Sequence, residues 1–112
     1  MLMKNPNQRL CGMLGFAMRA GKVIIGADLV CRAIANKKTA PSLVVVSHSA
    51  SDGTKKRICS KCEFYGIKTV QIKMSTDELG ELLGKTYAPA VLGITDEGFA
   101  REIEKSAVGE VI

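Results

Sequence analysis

The run Leu43-Val44-Val45-Val46 constrains the fold of this chain more than any other feature. Four consecutive aliphatic residues leave no polar face for solvent. A strand of this kind is buried on both sides, which requires a sheet covered by helices front and back. Ala90 to Ile94 reads as another strand, and Lys22–Ile25 and Lys68–Ile72 supply two shorter ones. Between the strands, apolar residues recur at helical spacing. Leu10, Met13, Leu14 and Ala17 fall at i, i+3, i+4 and i+7 behind a cap-like Asn5-Pro6-Asn7, and Gly21 ends that helix. A second helix runs from Ala27 to about Asn36, with Leu29, Val30, Ala33 and Ile34 on one side, and Pro41 prevents its continuation. Asp52 or Thr54 caps a third, with Ile58, Cys62 and Tyr65 inward and Lys55, Lys56 and Lys61 outward. Ser75-Thr76-Asp77-Glu78 is a capping box ahead of Leu79, Leu82 and Leu83, with Gly84 as the stop. Asp96 opens a last helix through Phe99, Ala100 and Ile103. The alternation predicts an α/β fold and one domain over residues 1–112. Its expected form is a three-layer α/β/α sandwich, a small mixed sheet of about four strands with helices on both faces.

Several function classes drop out at once. No stretch approaches the roughly 20 apolar residues of a membrane span, and Met1–Arg9 lacks the apolar core of a signal peptide, so the expected address is cytoplasmic. Cys59 and Cys62 have CxxC spacing, but no second CxxC accompanies them, and joining them to Cys11 and Cys31 would need three helices to meet at one point. Reduced, buried thiols and no metal are expected. The single histidine, His48, sits in Ser47-His48-Ser49 after the buried strand, where α/β sheets bind ligands. No GxSxG elbow, Walker loop or GxGxxG surrounds it, so an enzyme is not expected, nor a cofactor or small-molecule ligand.

Charge distribution points toward a polyanion. Met1 to Val70 carries +9, whereas the remainder carries −4. Within the basic part, Gly26-Ala27-Asp28-Leu29 opens the second helix and Arg32 follows Asp28 by four residues. Gly26 permits a tight turn, and the free N–H groups of a helix start favour an anion. Lys22, Lys37 and Lys38 flank the stretch in sequence. Two readings stand side by side. Asp28 and Arg32 touch base edges while lysines hold phosphates, or they form an ordinary i,i+4 surface pair.

At this point the chain resembles a known family. Leu14-Gly15-x-Ala17-x-Arg19-Ala20-Gly21-Lys22-Val23-x-x-Gly26-x-Asp28-Leu29-Val30-x-Arg32-Ala33-Ile34 is similar to the ribosomal class of kink-turn RNA binders, the L-seven-Ae class, and within it to a small bacterial YlxQ-like branch. Leu43-Val44-Val45-Val46, Lys61-Cys62-x-x-Tyr65-Gly66, Leu83-Gly84-Lys85 and Ile94-Thr95-Asp96-x-Gly98-Phe99-Ala100 agree in order and spacing, so the likeness covers roughly residues 5 to 105. The resemblance implies an α/β/α sandwich that grips a sharply bent, structured RNA, ribosomal or messenger, with the ribosome as a further candidate partner and no DNA. Typical members carry Gly-x-Asn-Glu-x-x-Lys at the second helix to read sheared G·A pairs. Gly26 and Arg32 match the glycine and the cation, but Asp28 replaces Asn and Leu29 replaces Glu. Ionised Asp only accepts hydrogen bonds and Leu makes none, each at a cost of about 1–3 kcal/mol in discrimination.

The resemblance also implies a second contact at the loop before the last strand, where Ala88-Pro89-Ala90 forms an apolar tip for an unpaired base. Phe64, Tyr65 and Phe99 read as helix residues, so no aromatic stack is expected at that tip. The implied action is stabilisation of one bent RNA conformer, a population shift. A protein-interaction module on the same scaffold is the alternative, with Leu29 as its contact.

Overall fold

In the computed structural model, residues 8–107 are described, and they build one four-stranded sheet between two helical layers. The elements follow in the order α1 (Gln8–Arg19), β1 (Val23–Ile25), α2 (Ala27–Ile34), β2 (Leu43–Ser47), α3 (Asp52–Tyr65), β3 (Thr69–Ile72), α4 (Thr76–Leu82), β4 (Val91–Ile94) and α5 (Glu97–Ser106). The strands lie in the order β1-β4-β2-β3. The β1/β4 and β4/β2 pairs are antiparallel and β2/β3 is parallel, so the sheet is mixed as expected.

The aliphatic run of β2 has the burial its sequence demands. Leu43 and Val45 pack with α1, α4 and α5, while Val44 and Val46 pack with α2 and α3. The period-two alternation of a strand sends successive side chains into different cores. On the first face Leu10, Leu14, Leu79 and Ile103 close over the sheet. On the second, Val30, Cys31, Ile34, Ile58 and Cys62 do so. Each large aliphatic side chain buried in this way contributes about 1.5–3 kcal/mol. None of the five aromatic residues belongs to the buried core.

Local details differ from expectation in four places. The cap of α3 is Ser51, not Asp52 or Thr54; its hydroxyl accepts the Thr54 N–H at 3.1 Å. The second helix stops at Ile34, because the Asn36 side chain turns to accept the Lys38 N–H at 2.9 Å. Leu29 leaves the apolar side of α2 and is 50% exposed, its place in the core taken by Cys31. Tyr65 is 45% exposed rather than inward, since α3 ends beyond the edge of its core at Gly66. The capping box of α4 forms as the sequence predicts, with Glu78 N–H on the Ser75 hydroxyl at 3.1 Å and Ser75 N–H on the Glu78 carboxylate at 2.8 Å. The Asn5-Pro6-Asn7 cap lies outside the described residues.

Candidate nucleic-acid interface

Strand directions bring the two sequence-predicted contact segments to one end of the sheet. β1 finishes where β4 begins, and the Gly26 N–H donates to the Val91 carbonyl at 2.9 Å. One strand over, the Ser47 N–H donates to the Ala90 carbonyl at 2.9 Å. Ser47 is the buried polar residue of the core, and its hydroxyl is satisfied by donating to the Met74 carbonyl at 2.7 Å. Its oxygen also accepts the Ser49 N–H at 3.1 Å. This hydroxyl is therefore a structural tie. His48 is exposed at the same end, and its backbone N–H is held by the Ile72 carbonyl at 2.9 Å.

Gly26 is the N-cap of α2 and has φ +107°, a region side-chain-bearing residues rarely adopt. A Cβ placed there would meet nothing within 4 Å, so the glycine is required by the backbone turn and not by crowding. It also leaves the helix without a side-chain cap, whereas α3, α4 and α5 are capped by Ser51, Ser75 and Asp96. The first intrahelical bond is the Val30 N–H to the Gly26 carbonyl at 3.0 Å. The N–H groups of Ala27, Asp28 and Leu29 precede it at the positive end of the helix dipole.

Asp28 does not pair with Arg32. Its carboxylate accepts from Arg57 of α3 at 2.9 Å, and both side chains are largely exposed. That hydrogen bond, followed by the neighbouring Cys31 thiol, raises the Arg57 pKa above its ordinary value. Arg32 makes no ion pair among the described residues and presents its guanidinium to solvent. The site therefore holds an acceptor clamped by one arginine, a second arginine one turn along, and an uncapped helix start. Arg57 is the residue that sequence reasoning missed. The pair spans 29 positions, and the only sequence signal was the basic run Lys55-Lys56-Arg57.

The other expected residues divide. Ala88 is exposed, Ala90 is half-buried against the second core, and Pro89 is buried. The loop is seated on α4: a Cβ on Gly80 would come 2.5 Å from the Tyr87 carbonyl oxygen and 3.4 Å from Pro89 Cδ. Tyr87, 54% exposed beside Ala88, supplies an aromatic ring that the sequence reading did not expect at this loop. Lys22 is not brought to the helix start, because it lies at the opposite end of β1, about 13 Å of strand from Gly26. Lys37 lies three residues beyond the far end of α2, and that end is itself about 10 Å of helix from Ala27. Among the described residues, no group of three or more His, Cys, Asp or Glu side chains is arranged to hold a metal ion, and no helix is long and apolar enough to cross a membrane.

Electrostatics distinguish the two helical layers. α2 and α3 together have five Lys/Arg against three Asp/Glu, with Lys37 and Lys38 in the loop after α2, whereas α1, α4 and α5 together have four against six. The site opens on the basic layer.

Comparison with known proteins agrees with this architecture. Residues 8–104 match the family model described as Ribosomal protein L7Ae/L30e/S12e/Gadd45 family. The chain is 34% identical over 102 residues to the RNA-binding protein YlxQ of Enterococcus faecium, covering 91% of this chain and 94% of that one. It is 37% identical over 91 residues to the RNA-binding protein YlxQ of Bacillus subtilis (strain 168), covering 81% and 87%. A solved structure of a protein with unknown function from Bacillus halodurans C superposes with a TM-score of 0.79 at 30% identity, covering 88% of this chain and 96% of that one. The relatives carry names of RNA-binding proteins, not of enzymes. With a match across nearly its whole length, the chain belongs to the ribosomal protein L7Ae/L30e/S12e/Gadd45 family.

Proposed function

We propose that this protein is a cytoplasmic, non-catalytic RNA-binding protein that holds a bent, kink-turn-like structured RNA, ribosomal or messenger, at one end of its sheet. The observation that carries the reading is the uncapped start of α2 at Gly26, flanked by Arg32 and Arg57 and opening on the basic layer. Ala27, Asp28 and Leu29 N–H groups meet a phosphate or sugar oxygen there, as helix starts do. Arg32 is free to reach a base edge or phosphate. Arg57 orients the Asp28 carboxylate, and the guanidinium donors that Asp28 does not use remain for the RNA. Exposed Ala88 and Tyr87 meet an unpaired base at the α4–β4 loop, with buried Pro89 and Ala90 fixing the loop against α4 and the second core. Lys37 adds to the attracting field of the basic layer from a distance. Binding stabilises one RNA conformer, and no bond is made or broken. The RNA-binding names of its relatives support the same conclusion.

The test is salt dependence. Phosphates neutralised by Arg32 and Arg57 give a log–log slope of about −1.4 to −1.8, and Arg57→Ala reduces its magnitude by about one. Binding that ignores salt and survives both Arg32→Ala and Arg57→Ala would overturn the proposal. It would favour the protein-docking alternative, for which the 50% exposure of Leu29 provides a contact.

A further inference from the structure

Helix α3 carries a stripe that leads away from the proposed RNA site. Arg57, Lys61 and Phe64 stand at i, i+4 and i+7 and so share one side of the helix. Phe64 is 80% exposed and its ring lies 4.9 Å from that of Tyr65, itself 45% exposed, with the planes at 79°. Isolated surface apolar residues need no explanation. Two contacting aromatic rings in solvent are a different case, in a chain where only Phe99 of the five aromatic residues packs against a core.

The surroundings are cationic. α2 and α3 both start at the same end of the sheet and run in the same direction, with Asp28 level with Arg57. Seven residues further along each chain segment, Ala35 and Phe64 stand at matching heights, and Lys37 and Lys38 follow Ala35 in sequence. Lys37, Lys38 and Lys61 form no ion pair among the described residues, whereas Lys68 is held by Glu104 at 3.0 Å. The neighbouring acid, Glu63, sits about 100° round the helix from Phe64.

We infer that Phe64 and Tyr65 form a stacking site for an unpaired, single-stranded RNA segment that continues from the α2 site, with Lys37, Lys38 and Lys61 on its phosphates. The inference rests on the RNA reading above and adds a second point of contact to it. Arg57 and Phe64 are about 10 Å apart along the helix, a span that three stacked nucleotides cover at about 3.4 Å each. Aromatic faces accept any base, and lysines track the backbone without regard to sequence. A polar rim suits a protein partner as well, but a rim of one sign, made by three lysines that form no ion pair among the described residues, favours a polyanion.

The experiment compares one kink-turn RNA with blunt arms against the same RNA carrying a three-nucleotide unpaired tail on one arm or the other. The wild-type protein is expected to bind one tailed RNA about tenfold more tightly than the blunt one. Phe64→Ala removes that gain while leaving blunt-RNA affinity unchanged, and Phe64→Trp keeps it. Tailed and blunt RNAs binding alike to the wild type would overturn the inference while leaving the core reading intact. So would a tail gain that survives Phe64→Ala. Self-association abolished by Phe64→Ala would reassign the pair to contact between copies. Absence of binding to all three RNAs would remove the core reading itself, and this inference with it.

Discussion

Replacing Gly80 by alanine separates two opposed effects in this fold. Gly80 lies inside α4, where alanine is favoured over glycine by about 1 kcal/mol. The new Cβ would stand 2.5 Å from the Tyr87 carbonyl oxygen, too close for any pair of these atoms, so the loop must move. The obstructing atom is backbone, and Pro89 and Ala88 crowd the same position at 3.4 and 3.5 Å, so no rotamer change relieves it. Overpacking of this kind costs about 1–3 kcal/mol, which outweighs the helical gain and leaves the variant up to about 2 kcal/mol less stable. Gly12, inside α1, is the internal control. A Cβ there meets nothing within 4 Å, so Gly12→Ala is expected to stabilise by about 1 kcal/mol. Thermal unfolding of the two variants reads the contrast directly, at roughly 4–8 °C per kcal/mol. Gly80→Ala is also expected to weaken RNA binding, because the displaced segment carries Tyr87 and Ala88, whereas Gly12→Ala leaves binding unchanged. Equal stabilisation by both substitutions, with RNA affinity unaltered, would refute the seating of this loop on α4.

Three further outcomes follow from local geometry. Burial, assisted by Glu78 at Cys11, raises the Cys11 and Cys62 thiols above the ordinary value of 9.0. The folded chain then keeps protons that the unfolded chain releases; this stability is complete below about pH 9 and is lost as pH rises through the raised values. Unfolding midpoints measured across that range should decline, and the decline should be shallower in a Cys11→Ala, Cys62→Ala variant. Ser75→Ala removes the hydroxyl that accepts the Glu78 N–H and is expected to cost about 1 kcal/mol in urea unfolding. Leu29→Glu places a carboxylate beside the exposed start of α2 and is expected to increase discrimination for sheared G·A pairs by about 1–3 kcal/mol, read by titrating matched RNAs.

Much of the scaffold was legible because burial leaves a periodic trace. Four unbroken aliphatic residues at Leu43–Val46 have one stable environment, a strand between two helical layers, and the Ser75–Glu78 box marks a helix start by its own hydrogen bonds. The site was legible only in part. Gly26 stood out as a candidate turn and the Ala88-Pro89-Ala90 loop entered through the family resemblance, and the Gly26–Val91 hydrogen bond puts the two candidates at one end of the sheet. The true partner of Asp28 left no trace in the spacing, since Arg57 reaches it only through the packing of α2 on α3. Lys22 looked adjacent to the site because it is four residues from Gly26, yet an extended strand turns four residues into the length of the sheet. The burial of Pro89 depends on a missing Cβ at Gly80, a steric fact that appears only once α4 and the loop are placed together.

The central claim is that the start of α2 and the α4–β4 loop together recognise a bent RNA. Its most direct test is a titration of the protein against a short kink-turn RNA and the same RNA with its sheared G·A pairs replaced by Watson–Crick pairs, at two salt concentrations. Tight, salt-sensitive binding to the first is expected, with the second weaker by about tenfold or more, the worth of one good base-edge contact. Equal weak binding to both, or no binding to either, would contradict the account.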